Sequence, residues 1–244
     1  MGAAGRANAS DLREALVGAA TDPERLRRLL DDGAVTDLEV RAALLKRVPA
    51  SVSAYVVEKS RFGARPAVLG AVAMSPSTPV RITLEILGSL AWRDLAEASI
   101  RAELAPAVRQ KAESLLLDSL RTLRLGDLVS LSLLGPRRVA RALLSHGDDR
   151  VRAGALQNPR LRSLDVCEEV ERASAPPDLS GQVLLCHRWA LLYDVRRSIV
   201  RGTATPRPVA LPLVSTLNPG DLREIAGSDA VSPLIAAVAR RLLG

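Results

Sequence analysis

Aromatic residues are nearly missing from this chain. Phe62, Trp92, Trp189, Tyr55 and Tyr193 make up 2% of its 244 residues, although 48% of them are hydrophobic. Leu, Ala and Val must therefore fill the interior, which suits closely packed helices of small diameter. Strands draw more on Tyr, Phe, Thr and Ile. The composition argues against a β-rich domain and predicts an all-α one.

Cysteine is almost as scarce. Cys167 and Cys186 are too few for a disulfide scaffold. No apolar run approaches the ~20 residues that a membrane span requires. The stretch Met1 to Ser10 lacks the apolar core of a signal peptide, and position 6 lacks the Ser or Thr of a myristoylation motif. Together these absences predict a soluble, cytoplasmic protein without a membrane span.

Catalytic signatures are missing too. There is no phosphate-cradling G-x-x-x-x-G-K-[ST] and no dinucleotide-type G-x-G-x-x-G. Neither G-x-S-x-G nor H-E-x-x-H occurs. Cys167, Cys186, His187 and His146 are the only soft metal ligands. Adjacent Cys186-His187 would point apart on a helix, and structural zinc needs ligands paired at short spacing. Glu168, Glu169 and Glu171 cluster, as do Asp31-Asp32 and Asp148-Asp149. Paired catalytic carboxylates need an apolar pocket to separate their pKa values, and nothing in the sequence implies one. The expectation is a protein that is no enzyme, with no catalytic residue, metal, cofactor or small-molecule substrate.

What is present is a repetition. Thr78-Pro79, Leu84, Leu87, Leu90, Asp94-Leu95, Glu97, Pro106, Ala112, Leu115 and Leu116 recur 127 residues later. The later set is Thr205-Pro206, Leu211, Val214, Leu217, Asp221-Leu222, Glu224, Pro233, Ala239, Leu242 and Leu243. Arg61-Phe62 aligns with Arg188-Trp189, and Val68 and Val72 align with Val195 and Ile199. Long internal repetition marks a repeat architecture, and repeats commonly form binding surfaces.

Apolar spacing at three and four predicts roughly 12 to 14 short helices. Helices this short need neighbours to hold them. Thr36-Asp-Leu-Glu39 reads as a capping box. Asp22-Pro23, Thr78-Pro79, Thr205-Pro206 and Ser232-Pro233 read as a capping side chain followed by proline at the first helical position. Gly33 and Gly63 read as helix stops. Asp94 and Asp221 read as a repeated N-cap, and Ala173 to Ser180 as a loop. The organisation expected is a flexible N-terminus and first helix (1–20), a first α-repeat half (21–118), connecting helices (119–150) and a second half (151–244).

Val151-Arg152 followed by Asn158-Pro159, and Val195-Arg196 followed by Thr205-Pro206, resemble the Val-Arg, Asn-Pro and Thr-Pro signals of HEAT-like and leucine-rich repeat variant proteins. That resemblance spans about residues 36–244. It implies a right-handed α-solenoid of short stacked helices and carries no particular activity with it.

The formal charge is +7, and with only Lys46, Lys59 and Lys111 as lysines it is almost wholly arginine. The stretch 121–162 has nine arginines against three aspartates. A basic balance suits nucleic acid or an anionic surface; it equally describes arginines that solubilise helix faces. Arg137, Arg138, Arg141, Arg152, Arg196 and Arg197 are the candidate partner-gripping residues, since guanidinium groups hold phosphates or carboxylates bidentately. Trp92, with no aromatic at the matching Pro219, is a candidate anchor. The paired Arg61-Phe62 and Arg188-Trp189 read as inter-helix anchors first and as a base-stacking platform second.

The function expected is a non-catalytic helical-repeat interaction module or scaffold that binds a protein partner through an Arg-rich surface. The alternative is a nucleic-acid-binding HEAT-like protein, a fold type that also includes enzymes excising alkylated DNA bases. A continuous basic stripe would favour nucleic acid; arginines alternating with Asp and Glu would favour a protein partner or solubility.

Overall fold

The computed structural model describes residues 9–244, so the readings made for Met1 to Asn8 lie outside the described residues. Among the described residues there are 18 α-helices, one 3₁₀ turn and no strand. The chain is all-α. It divides into two compact units that meet between Arg121 and Thr122.

The first unit holds α1 (Ala9–Gly18), α2 (Pro23–Asp31), α3 (Asp37–Leu44), α4 (Ala50–Lys59) and α5 (Pro66–Met74). After them come α6 (Val80–Ile86), α7 (Trp92–Ile100) and α8 (Pro106–Ser119). Helices pack on their second neighbours: α1 on α3, α3 on α5, α5 on α7, α2 on α4 and α6 on α8, with α7 also against α8. Two layers result, with small aliphatic side chains between them. Val40, Val56, Val68, Val72, Ala98 and Leu116 are each fully enclosed.

The second unit begins with α9 (Leu125–Leu134), α10 (Arg137–Leu143), α11 (Asp149–Gln157), α12 (Ser163–Glu171) and α13 (Leu179–Leu185). It continues with α14 (His187–Ala190), α15 (Tyr193–Arg201), α16 (Arg207–Val214), α17 (Pro219–Ala226) and α18 (Pro233–Leu243). Here α10 packs on α12, α12 on α15, α9 on α11, α11 on α13, and α16 and α17 on α18. Helix starts at residues 66, 80, 92 and 106 stand against starts at 193, 207, 219 and 233, each pair 127 apart.

Local signals explain several boundaries. The Thr36 capping box is present: the Glu39 amide donates to the Thr36 hydroxyl, and Glu39 accepts from the Thr36 amide at 2.8 Å. Asp22 caps α2 by accepting from the Arg25 amide at 3.0 Å, with Pro23 first in the helix. The Thr-Pro pairs behave otherwise. Pro79 and Pro206 themselves occupy the cap, because their fixed φ suits the entry, and Thr78 turns inward to donate to the Val72 carbonyl at 2.8 Å. Ser232 stands at the cap of α18 without a side-chain cap bond.

Other expectations are corrected in the same way. Asp94 and Asp221 are not caps; they sit at the third helical position, behind Ala91 and Asn218. Gly33 and Gly63 do not close left-handed caps, since Gly244 alone has positive φ among the described residues. Gly63 answers to space instead: a Cβ there would stand 2.3 Å from the Val57 carbonyl oxygen. The helices outnumber the expected 12 to 14 because several, such as the four-residue α14, are too short to show a period. Leu242 and Leu243, which recur in place of Leu115 and Leu116, are substantially exposed.

The paired aromatics anchor the two units alike. Phe62 and Trp189 are both 2% exposed. The Arg61 guanidinium lies 4.7 Å from the Phe62 ring centre, and Arg188 lies 4.1 Å from that of Trp189. Arg61 donates to the Leu30, Asp32 and Val35 carbonyls, and Arg188 to those of Asn158 and Leu161. Each guanidinium thereby adds donors to the carbonyl groups gathered around a helix end. The indole N–H of Trp189 adds a 2.8 Å bond to the Leu156 carbonyl.

Candidate functional site

The arginines predicted as a gripping surface fall into three settings. Arg137, Arg141 and Arg197 lie in a row along α10, α12, α15 and α17 of the second unit. Arg137 donates through Nε and Nη2 to both oxygens of Asp165, at 2.8 Å each. Arg141 stands 2.6 Å from Glu168 and 3.9 Å from Asp165. Arg197 reaches Asp221 at 3.4 Å and Asp194 at 3.9 Å. Arg201, which the sequence reading passed over, meets Glu224 at 2.5 Å and Glu171 at 4.0 Å. Charge thus alternates across four helices. Arg138, on the same helix as Arg137, is exposed.

The electrostatics of the row follow from its packing. Burial alone would raise the Asp165 carboxyl, but the Arg137 bond, the Arg162 amide and the charges of Arg137 and Arg141 together hold it below the ordinary carboxylate range. Asp221 is held low chiefly by the Tyr193 hydroxyl, with Arg197 adding to it. That hydroxyl donates to Asp221 and accepts from the Asn218 amide at 3.0 Å. Arg137 is raised by its bond to Asp165.

Arg152 is in a second setting. It is 3% exposed and donates to the His146 carbonyl at 2.6 Å, the Gly147 carbonyl at 3.0 Å and the Gln182 side chain at 3.1 Å, with Asp178 completing its fork. It ties α11 to α13 and presents nothing to a partner. The third setting holds Arg196 and Trp92. Arg196 is half-buried, with its Nε lacking a hydrogen-bond partner. Trp92 opens α7 in the first unit, half-buried beneath the Arg93 guanidinium at 5.1 Å. Arg196 takes no part in the ion pairs of the row, and Trp92 belongs to the other unit.

Reading the sequence also missed a groove. Between α11 and α13, a space of about 320 Å³ is lined mainly by Ala153, Leu156, Gln157, Gln182, Leu185 and Cys186. Leu185 is 88% exposed, the most exposed of the large hydrophobic side chains among the described residues. A signal did exist, in the apolar run Val183 to Cys186: four consecutive residues circle a helix, so one face must bury while another stays outside.

Among the described residues, no three His, Cys, Asp or Glu side chains come together to hold a metal ion. Both cysteines are free thiols, and burial pushes that of Cys167 up. The His146 ring accepts from the Asp148 amide at 3.0 Å, a turn contact. No helix among the described residues is long and apolar enough to cross a membrane.

No protein-family model, no curated protein and no solved structure matches this chain.

Proposed function

We propose that this protein is a non-catalytic helical-repeat interaction module, an internally duplicated α-solenoid of HEAT-like type that binds a protein partner. The observation that supports this best is the alternation of charge across α10, α12, α15 and α17. Nucleic-acid surfaces leave guanidinium groups open to track phosphates. Here Arg137, Arg141, Arg197 and Arg201 each answer a carboxylate of the same unit. The contact surface is then the α11–α13 groove, where an aliphatic side chain of the partner covers Leu185 and Ala153. Desolvated apolar pockets of this kind carry the larger share of interface energy, while rim charges contribute little.

The +7 charge keeps nucleic acid as the second reading, and one pair of experiments separates the two. Labelled single- and double-stranded DNA and RNA are titrated across salt by fluorescence anisotropy. The expected result is no binding at ~50 mM salt. Affinity that falls steeply with salt and collapses when Arg137, Arg138 and Arg141 become Ala would overturn the proposal. In parallel, a photo-crosslinking residue placed at Leu185 is expected to yield a protein adduct that the same residue at the exposed Arg207 does not.

A further inference from the structure

The α11–α13 groove carries opposite charge at its two ends. Its two helices run parallel. Arg152, in the first half of α11, reaches Asp178 at the start of α13, and Leu156 near the end of α11 accepts from Trp189, which follows α13. One end of the groove is therefore lined by Asp149 and Arg150, and the other by Gln157 and Cys186. At the first end carboxylates prevail. Asp148 holds Arg150 at 2.8 Å, and the exposed Asp149 adds a second negative charge beside that pair.

The far end is basic and has no counter-charge. Arg160 stands three residues beyond Gln157, in the turn after α11, and Arg188 stands two beyond Cys186; both are exposed. Arg160 donates through Nη1 to the Leu134 carbonyl at 3.2 Å, and Arg188 donates to the carbonyls of Asn158 and Leu161 at 2.8 and 2.7 Å. These partners are dipoles, with about half a charge at a helix end, so each guanidinium keeps charge to offer outward. No Asp or Glu occurs from 151 to 164 or from 179 to 193. This corner is also held in place: the buried Asn158 side chain donates to the Ser132 and Gly135 carbonyls, and Arg188 lies 4.1 Å from the Trp189 ring centre.

We infer that the groove takes an amphipathic helical segment of a protein partner, in one direction only. Carboxylates of the segment lie over Arg160 and Arg188, an aliphatic side chain meets Ala153 and Leu185, and a basic residue stands beside Asp149. The inference rests on the groove being the contact surface and adds the partner's chemistry and orientation. Acidic residues favour the first turn of a helix and basic ones the last, so the segment runs antiparallel to α11 and α13. The apolar contact supplies affinity, while the charges select direction and hasten encounter. An anionic lipid surface fits less well, because its headgroups would meet Asp148 and Asp149 at the other end of a concave site.

The test selects displayed random segments of about twelve residues, long enough to span α11 as a helix, on the full chain, with counter-selection on Leu185→Asp. Enriched segments are expected to carry Asp or Glu toward the amino end, aliphatic residues in the middle and Lys or Arg toward the carboxyl end. One of them is then synthesised beside a copy whose acidic side chains are amides, and both are titrated by fluorescence anisotropy. The amide copy is expected to bind about fivefold more weakly at low salt, with the difference shrinking as salt rises. Arg160→Gln is expected to erase that difference and to leave the affinity of the amide copy unchanged. Enrichment without charge order, or with the reverse order, overturns the inference and leaves the groove standing as a contact surface. Failure to enrich any segment over Leu185→Asp overturns both. Sedimentation with phosphatidylserine-containing vesicles that Arg160→Gln and Leu185→Asp each abolish overturns the segment in favour of a lipid surface.

Discussion

Seventeen basic residues fall before Thr122 and seventeen after it, set against fifteen and twelve acidic ones. The two units nevertheless use them differently. In the second, ion pairs bridge α10 to α12, α12 to α15 and α15 to α17, and Asp165 between α10 and α12 is 1% exposed. In the first, ion pairs are isolated and wet: Arg81 bridges Glu58 and Glu85 from a 67% exposed position. Matching helix boundaries thus coexist with unlike electrostatics. Apolar positions fix where helices begin and how they stack. The polar residue beside them can change from Arg197 to Gly70 without moving the helix that carries it.

The largest test of that comparison removes the shared anchors. Trp189→Ala is expected to destabilise the second unit by about 4 kcal/mol and Phe62→Ala the first by about 3 kcal/mol, read as urea unfolding by circular dichroism. The indole loses a buried hydrogen bond as well as area, hence the order. Next is Asp165→Ala, which strips Arg137 of both bonds and costs about 2 kcal/mol; no change in the unfolding midpoint would show the row to be decorative.

A smaller and sharper contrast pairs the two aspartates. Asp221→Ala is expected to cost about 1 kcal/mol, because Tyr193 and Arg197 lose their acceptor. Asp94→Ala, with nothing donating to it, is expected to be neutral or slightly stabilising in the same unfolding assay. Smallest is a pH effect at the α11 cap. Arg150 holds the Asp148 carboxyl down at about 2, below the ~3.9 of an unfolded chain. Its contribution is therefore complete above the unfolded value and fades as pH falls toward 2. Carboxyl NMR should show that titration, and Arg150→Ala should bring it back up.

Much of this molecule was legible in its sequence. Scarce aromatics and aliphatic spacing were enough for an all-helical chain. Asp22-Pro23 and Thr36 to Glu39 named two helix starts, since a cap is a contact between residues three apart. The Thr-Pro starts were misplaced by one residue because Thr78 found a carbonyl in α5, a tertiary partner that no local rule contains. The site was less legible for the same reason. Arg137, Arg141 and Arg197 look alike on paper as surface cations, and only packing reveals that Asp165, Glu168 and Asp221 wait opposite. Arg152 was chosen for its charge, yet it is buried beneath α13. The α11–α13 groove arises where two helices fail to close over Leu185, which is a property of the pair.

The guanidinium clamps at Arg61 and Arg188 have a mechanical consequence. Arg61, in the turn between α4 and α5, and Arg188, in α14, each fasten their segment to carbonyls some 26 to 31 residues earlier, Arg61 to Asp32 across 29 residues. Each clamp that gives way frees about 100 Å of contour, so the protein would lengthen under force in two like steps, one from each unit.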